Sequence, residues 1–108
     1  MRERTRATLE LMETIDVDDF AALEGVTLID VREPWEYEAG HVPSATSIPM
    51  SAIVQRVDEL PRDETIYVIC ESGYRSAQVG QWLDEQGFEA VNVLGGTSAW
   101  RASGRPVA

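Results

Sequence analysis

Lysine is missing from this chain: all nine of its basic residues are arginine, which excludes Schiff-base chemistry on a lysine amine. Cysteine and histidine occur once each, as Cys70 and His41, so no internal disulfide can form and no zinc site is recognisable. With no second thiol to resolve it, an oxidised or sulfur-loaded Cys70 would have to discharge to a partner. No apolar run approaches the length needed to span a bilayer, and the charged start lacks the apolar segment of a signal peptide. These absences point to a soluble, cytoplasmic protein that does not engage a membrane. A shortage of positive charge is equally informative. Nineteen acidic residues leave a formal net charge of -10, which argues against a nucleic-acid partner and repels free anions unless local positive charge compensates.

What is present fits one domain. The 108 residues suffice for a single core and are too few for two. Residues 1–13 read as a flexible, charged N-terminal arm and 14–105 as the folded domain. Short apolar runs alternate with helix-like segments. Val26 to Val31, Thr65 to Cys70 and Ala90 to Leu94 read as buried strands. Ahead of them, Asp16 can cap a helix from Val17 to about Leu23 that Gly25 ends. Pro34 to Ala39 reads as a short acidic helix, and Met50 to Leu60 as a longer one with Ile53, Val54, Val57 and Leu60 on one face. Arg75 to Gln86 reads as a fourth helix with Gly87 as its stop signal, and a last short helix carries Trp100. The alternation predicts an α/β fold with a mostly parallel central sheet and helices on both faces.

The chemistry concentrates at Cys70. A strand delivers this sulfur to its carboxyl end, where ligands of open α/β sheets gather, and Gly73 permits a sharp turn into the next helix. Successive backbone N–H groups of the loop Glu71, Ser72, Gly73, Tyr74, Arg75 and Ser76 can then face one anion. Such surroundings depress a thiol to a pKa of about 3.5 to 7.5, against about 8.5 when free, and make it a nucleophile. A buried structural cysteine is the alternative for an isolated residue of this type. Arg75 can either bind part of an anion through its fork of donors or pair with a nearby carboxylate. Asp30 and Arg32 read as an ion pair anchoring the neighbouring loop, with Glu36 as a further partner. Arg32 and Trp35 can also wall the pocket, and Tyr74 its mouth, while Trp82 and Trp100 read as packing residues. His41 invites comparison with a Cys-His dyad, although a structural hydrogen bond is the simpler role.

Three segments together carry a family resemblance. Leu28-Ile-Asp-Val-Arg-Glu33, continued through Glu36, Tyr37, Gly40, His41, Val42, Ala45, Ile48 and Pro49, resembles the amino-terminal signature of the single-domain rhodaneses, a sulfurtransferase family. The loop from Cys70 to Ser76 resembles their active-site loop, and Val93-Leu-Gly-Gly-Thr-Ser-Ala-Trp100 their carboxyl-terminal signature. The resemblance spans about residues 14 to 105. It implies a cofactor-free, metal-free double displacement in which Cys70 takes a sulfane sulfur from a donor such as thiosulfate and yields it to cyanide or a thiol. The Cys-x4-Arg spacing resembles the sulfurtransferases, whereas the related phosphatases and arsenate reductases carry a loop one residue longer. Glu71 is a departure: a carboxylate beside the thiol would repel a dianion and raise the thiol pKa, which turns attention to thiol or protein donors. A persulfide carrier, or a redox-responsive module docking on a partner protein, is the alternative function.

Overall fold

A computed structural model describes residues 12–108. Its elements are β1 (Thr14–Ile15), α1 (Val17–Ala21), β2 (Thr27–Asp30), α2 (Pro34–Ala39), β3 (Ala45–Ser47), β4 (Thr65–Ile69), α3 (Tyr74–Glu85), β5 (Glu89–Val93) and α4 (Gly96–Ala102). The five strands form one wholly parallel sheet in the order β1-β5-β4-β2-β3. The expected N-terminal arm falls almost entirely on residues 1–11, outside the described residues; Met12, just beyond them, packs against the core.

A parallel sheet needs cover on both faces, and the alternation along β4 shows how this chain provides it. Ile66 and Val68 point to one side, where they meet Val79 and Leu83 of α3 together with Ile53, Leu60 and Phe88. Tyr67 and Ile69 point to the other, where Phe20 of α1 and Trp100 of α4 close over Leu28 and Val93. Phe20 stands edge-on to both Tyr67 and Trp100, with ring centroids 5.4 and 6.5 Å apart. Cys70 continues the Ile66–Val68 side, so its sulfur emerges beneath α3.

Local signals behave as their chemistry dictates. Asp16 accepts from the Asp19 N–H at 2.8 Å and starts α1. Pro34 occupies the first turn of α2, and Glu33 and Glu36 form a reciprocal capping box there. The segment from Met50 to Leu60 departs from expectation. It is not one helix but two 3-10 turns, Met50–Ala52 and Val57–Glu59, joined by a hydrogen-bonded turn over residues 53–56. Pro49 and Pro61 bracket a stretch too short to sustain a helix without a full apolar face, and three β-branched residues weaken it further. Ile53 and Leu60 reach the core separately, leaving Val54 60 % exposed. The first helix ends at Ala21, two residues before the expected Leu23, which is exposed. Strands β1 and β3, of two and three residues, add the sheet edges that short polar-flanked segments do not announce.

Candidate active site

The loop between β4 and α3 is shaped by close approach of the backbone. Gly73 adopts φ +103°, a conformation open to glycine, and caps α3. On the other side the start of α4 docks against the loop. The Cys70 carbonyl accepts from both the backbone N–H and the hydroxyl of Thr97, at 2.9 and 3.0 Å, and the Glu71 carbonyl accepts from the Ser98 N–H at 3.0 Å. This contact requires Gly96, where a Cβ would lie 2.5 Å from the Cys70 oxygen and 2.6 Å from the Glu71 oxygen.

Cys70 is 1 % exposed, and three donors converge on its sulfur. The Gly73 N–H lies at 3.1 Å, the Ser76 N–H at 3.3 Å and the Ser76 hydroxyl at 3.2 Å. Burial by itself pushes the thiol pKa up. Donation from the Ser76 hydroxyl, then from the Ser76, Gly73 and Ser72 backbone N–H groups, outweighs it and holds the thiol below its ordinary value. The arrangement is thus a cradle that favours negative charge on sulfur.

The charged residues form two braces around this cradle. Arg75, on α3, faces Glu36, on α2, through two hydrogen bonds of 2.8 and 2.9 Å. That fork, opposed by burial and aided by the Glu33 N–H, depresses the Glu36 carboxyl from 4.5 to about 2. Arg32 is 1 % exposed and donates to Asp30, to the Gly40 carbonyl and, through Nη1, to Glu71 at 3.1 Å. Glu36, expected as a partner of Asp30 and Arg32, therefore makes its ion pair with Arg75 instead. Glu71 also accepts from Ser98 Oγ at 2.6 Å and Arg101 Nη1 at 2.9 Å. Burial pushes this carboxyl up, but Ser98 and the two guanidinium groups hold it below the usual range. The carboxylate beside the thiol is held by two cations, which offset much of the repulsion expected from its sequence position.

Other singled-out residues have definite places. Trp35 and Tyr74 are each 72 % exposed. His41 stacks on Tyr37 at 3.6 Å between ring centroids and places Nδ1 2.7 Å from the Tyr37 carbonyl. A carbonyl only accepts, so Nδ1 carries the proton, and the ring is engaged in holding the end of α2. Trp100 packs in the core and donates its indole N–H to the Pro106 carbonyl at 2.8 Å. Two buried polar residues of the site, Thr97 and Asn92, escape sequence reasoning. Asn92 had a signal: a polar residue inside the apolar run from Ala90 to Leu94 is out of place unless it has work to do.

Residues 9–103 match the model of the family described as the rhodanese-like domain. The chain is 42 % identical over 100 residues to the putative sulfurtransferase YtwF of Bacillus subtilis, covering 93 % of this chain and 92 % of the relative. It is 34 % identical over 97 residues to the thiosulfate sulfurtransferase GlpE of Pseudoalteromonas translucida, covering 89 % and 84 %. A rhodanese-related protein from Thermoplasma volcanium superposes with a TM-score of 0.83 at 34 % identity, covering 89 % of this chain and 97 % of that one.

Proposed function

The chain belongs to the rhodanese-like family, and on that footing we propose that it is a sulfurtransferase working through a Cys70 persulfide. The observation that carries this reading is the convergence of three donors on the Cys70 sulfur. In the first half-reaction the thiolate attacks the sulfane sulfur of a donor such as thiosulfate. The new S–S bond takes the transferred sulfur as a persulfide anion while the donor's own S–S bond breaks and sulfite leaves with its electron pair. In the second, cyanide or a thiolate attacks the outer sulfur, and Cys70 departs as thiolate. Cyanide becomes thiocyanate, and no net oxidation of the protein occurs. Both steps need a stabilised sulfur anion rather than a general base, which is what the loop donors offer.

In this reading the backbone of Glu71 to Ser76 holds the anion, Arg75 can lend it part of its charge, and Arg32 and Trp35 border the approach. No cofactor is called for, because thiolate attack on sulfur is complete without one. The enzyme would work in the cytoplasm, and residues 1–13 would be an arm outside the catalytic domain of residues 14–105. Among the described residues, no helix is long and apolar enough to cross a membrane.

One observation favours a second reading, a persulfide carrier that docks on a protein donor or acceptor: Trp35 and Tyr74 are highly exposed aromatics on the two helices joined by the Glu36–Arg75 brace. A single experiment addresses both. The protein is incubated with thiosulfate, freed of excess reagent and weighed intact, with and without cyanide. A gain of about 32 Da, one sulfur, that maps to Cys70 and is lost with cyanide supports the enzyme. No gain with thiosulfate, but loading by a cysteine desulfurase and delivery to a protein thiol, supports the carrier. Failure to load from either source overturns both.

A further inference from the structure

Asn92 lies on β5 with 3 % of its surface exposed, in register with Val68, and so faces α3 on the same side of the sheet as Cys70. Its amide nitrogen donates to the Gly73 carbonyl at 3.1 Å, which fixes which end of the amide is oxygen. That oxygen, Oδ1, is left 2.6 Å from the Ser76 hydroxyl. Ser76 is fully buried, and its hydroxyl also lies 3.2 Å from the Cys70 sulfur. One hydroxyl proton thus stands between two acceptors.

We propose that Asn92 is a positioning residue that competes with Cys70 for the Ser76 proton. When Cys70 is a thiol, its S–H can donate to the Ser76 oxygen while the Ser76 proton goes to Asn92, and every group in the chain is satisfied. When Cys70 ionises, the sulfur becomes a charged acceptor and draws the hydroxyl, which leaves Oδ1 buried without its donor. Asn92 therefore restrains ionisation of the nucleophile through Ser76, while its amide nitrogen steadies the Gly73 turn. The same restraint opposes discharge of a persulfide, because a less acidic thiol is the poorer leaving group.

The charged groups around the sulfur do not depend on this pair. Arg75, from α3, is close enough to interact with Cys70 and is bound by Glu36 from α2; Glu71, in the loop, is bound by Arg32 and by Arg101 of α4; Asp30, from β2, is bound by Arg32. All persist in the variants that test the idea.

The proposal rests on Cys70 being the nucleophile, but it is tested on the thiol itself. The pH dependence of Cys70 alkylation by iodoacetamide is recorded for the wild type, S76A, N92A, N92L and the double variant S76A/N92A, each first shown to be folded by circular dichroism. Loss of a hydrogen bond to a charged sulfur should raise the S76A midpoint by about one pH unit, and release of the Ser76 proton should lower that of N92A by about half a unit. N92L removes the same acceptor while keeping side-chain bulk, and serves if N92A does not fold. On the S76A background N92A should shift the midpoint far less than it does in the wild type, because the hydroxyl that couples Asn92 to sulfur is already gone and only the contact to the Gly73 carbonyl remains to be lost. An unchanged midpoint in S76A overturns the proposal, as does an upward shift in N92A or N92L, or an N92A shift that persists undiminished without the Ser76 hydroxyl. A chain that takes no sulfur from any donor in the mass experiment would fail the functional reading and still return these midpoints.

Discussion

Glu36 and Arg75 clasp each other through two parallel hydrogen bonds, 2.8 and 2.9 Å long, and so tie the acidic helix α2 to the first turn of the helix that follows Cys70. The pair is only partly open to water, with the carboxylate side chain 14 % exposed, so solvent screens it less than an ordinary surface bridge. Replacing Glu36 by Gln keeps the shape and removes the charge. E36Q should lose about 1–2 kcal/mol of stability in urea unfolding, with the slope unchanged. A variant as stable as the wild type would show that the clasp is ornamental.

The same pair sets a pH window. The folded Glu36 carboxyl titrates near 2, below its ordinary 4.5, so the folded state holds fewer protons than the unfolded chain between those values. Its contribution is complete above about pH 4.5 and is lost as the pH falls toward 2. The stability difference between wild type and E36Q should therefore be constant near neutrality, shrink below pH 4.5 and vanish near pH 2. Unfolding curves of both proteins at stepped pH provide the check; a gap that widens in acid has the wrong sign.

Replacement of Cys70 by Ser should abolish sulfur transfer by at least about a thousandfold, since a hydroxyl of pKa far above the thiol's is no nucleophile toward sulfur at neutral pH. The fold should survive, because the donors that face the sulfur can also face an oxygen. Turnover and intact-mass loading of C70S, beside its circular dichroism spectrum, measure both. Residual transfer at wild-type rate would remove Cys70 from the mechanism.

Glu71 holds two arginines that could otherwise favour an anion. E71Q leaves Arg32 and Arg101 less neutralised, and kcat/KM for thiosulfate should rise several-fold at low salt. The gain should shrink at about 0.5 M salt, where the screening length falls to a few ångströms. Steady-state kinetics at two ionic strengths decide it, and a drop on E71Q would mean that the carboxylate helps the donor bind.

Gly96 leaves no room for a side chain against the Cys70 and Glu71 carbonyls, and its φ of +60° is one that alanine adopts reluctantly. G96A should be destabilised by more than about 2 kcal/mol, with a changed rate of Cys70 alkylation as α4 is pushed off the loop. Native stability and native alkylation in G96A would refute the close approach.

Much of this protein is legible before it folds. The three central strands follow from compact apolar runs bounded by turn residues, and four helices from caps and breakers, because those signals act within a few residues of themselves. Where they conflict, reading fails. The spacing of Ile53, Val54, Val57 and Leu60 imitates a helix face, yet flanking prolines and β-branched side chains leave two 3-10 turns around which Ile53 and Leu60 are buried in the core, Val57 packs at its margin and Val54 stays exposed. The edge strands β1 and β3 exist because neighbouring strands present unpaired backbone, which no local composition records.

By itself the sequence determined the setting of the proposed nucleophile: a cysteine at a strand end, a glycine that turns the chain, and a helix whose first N–H groups face back. These are short-range consequences of residue type. Only the tertiary structure decided how the site is tuned. Arg75 meets Glu36 across 39 residues of chain, Glu71 meets Arg101 across 30, and Ser76 meets Asn92 across 16. Charges and single protons have their effect over a few ångströms, and which groups come that close is fixed by sheet register and helix packing rather than by order along the chain.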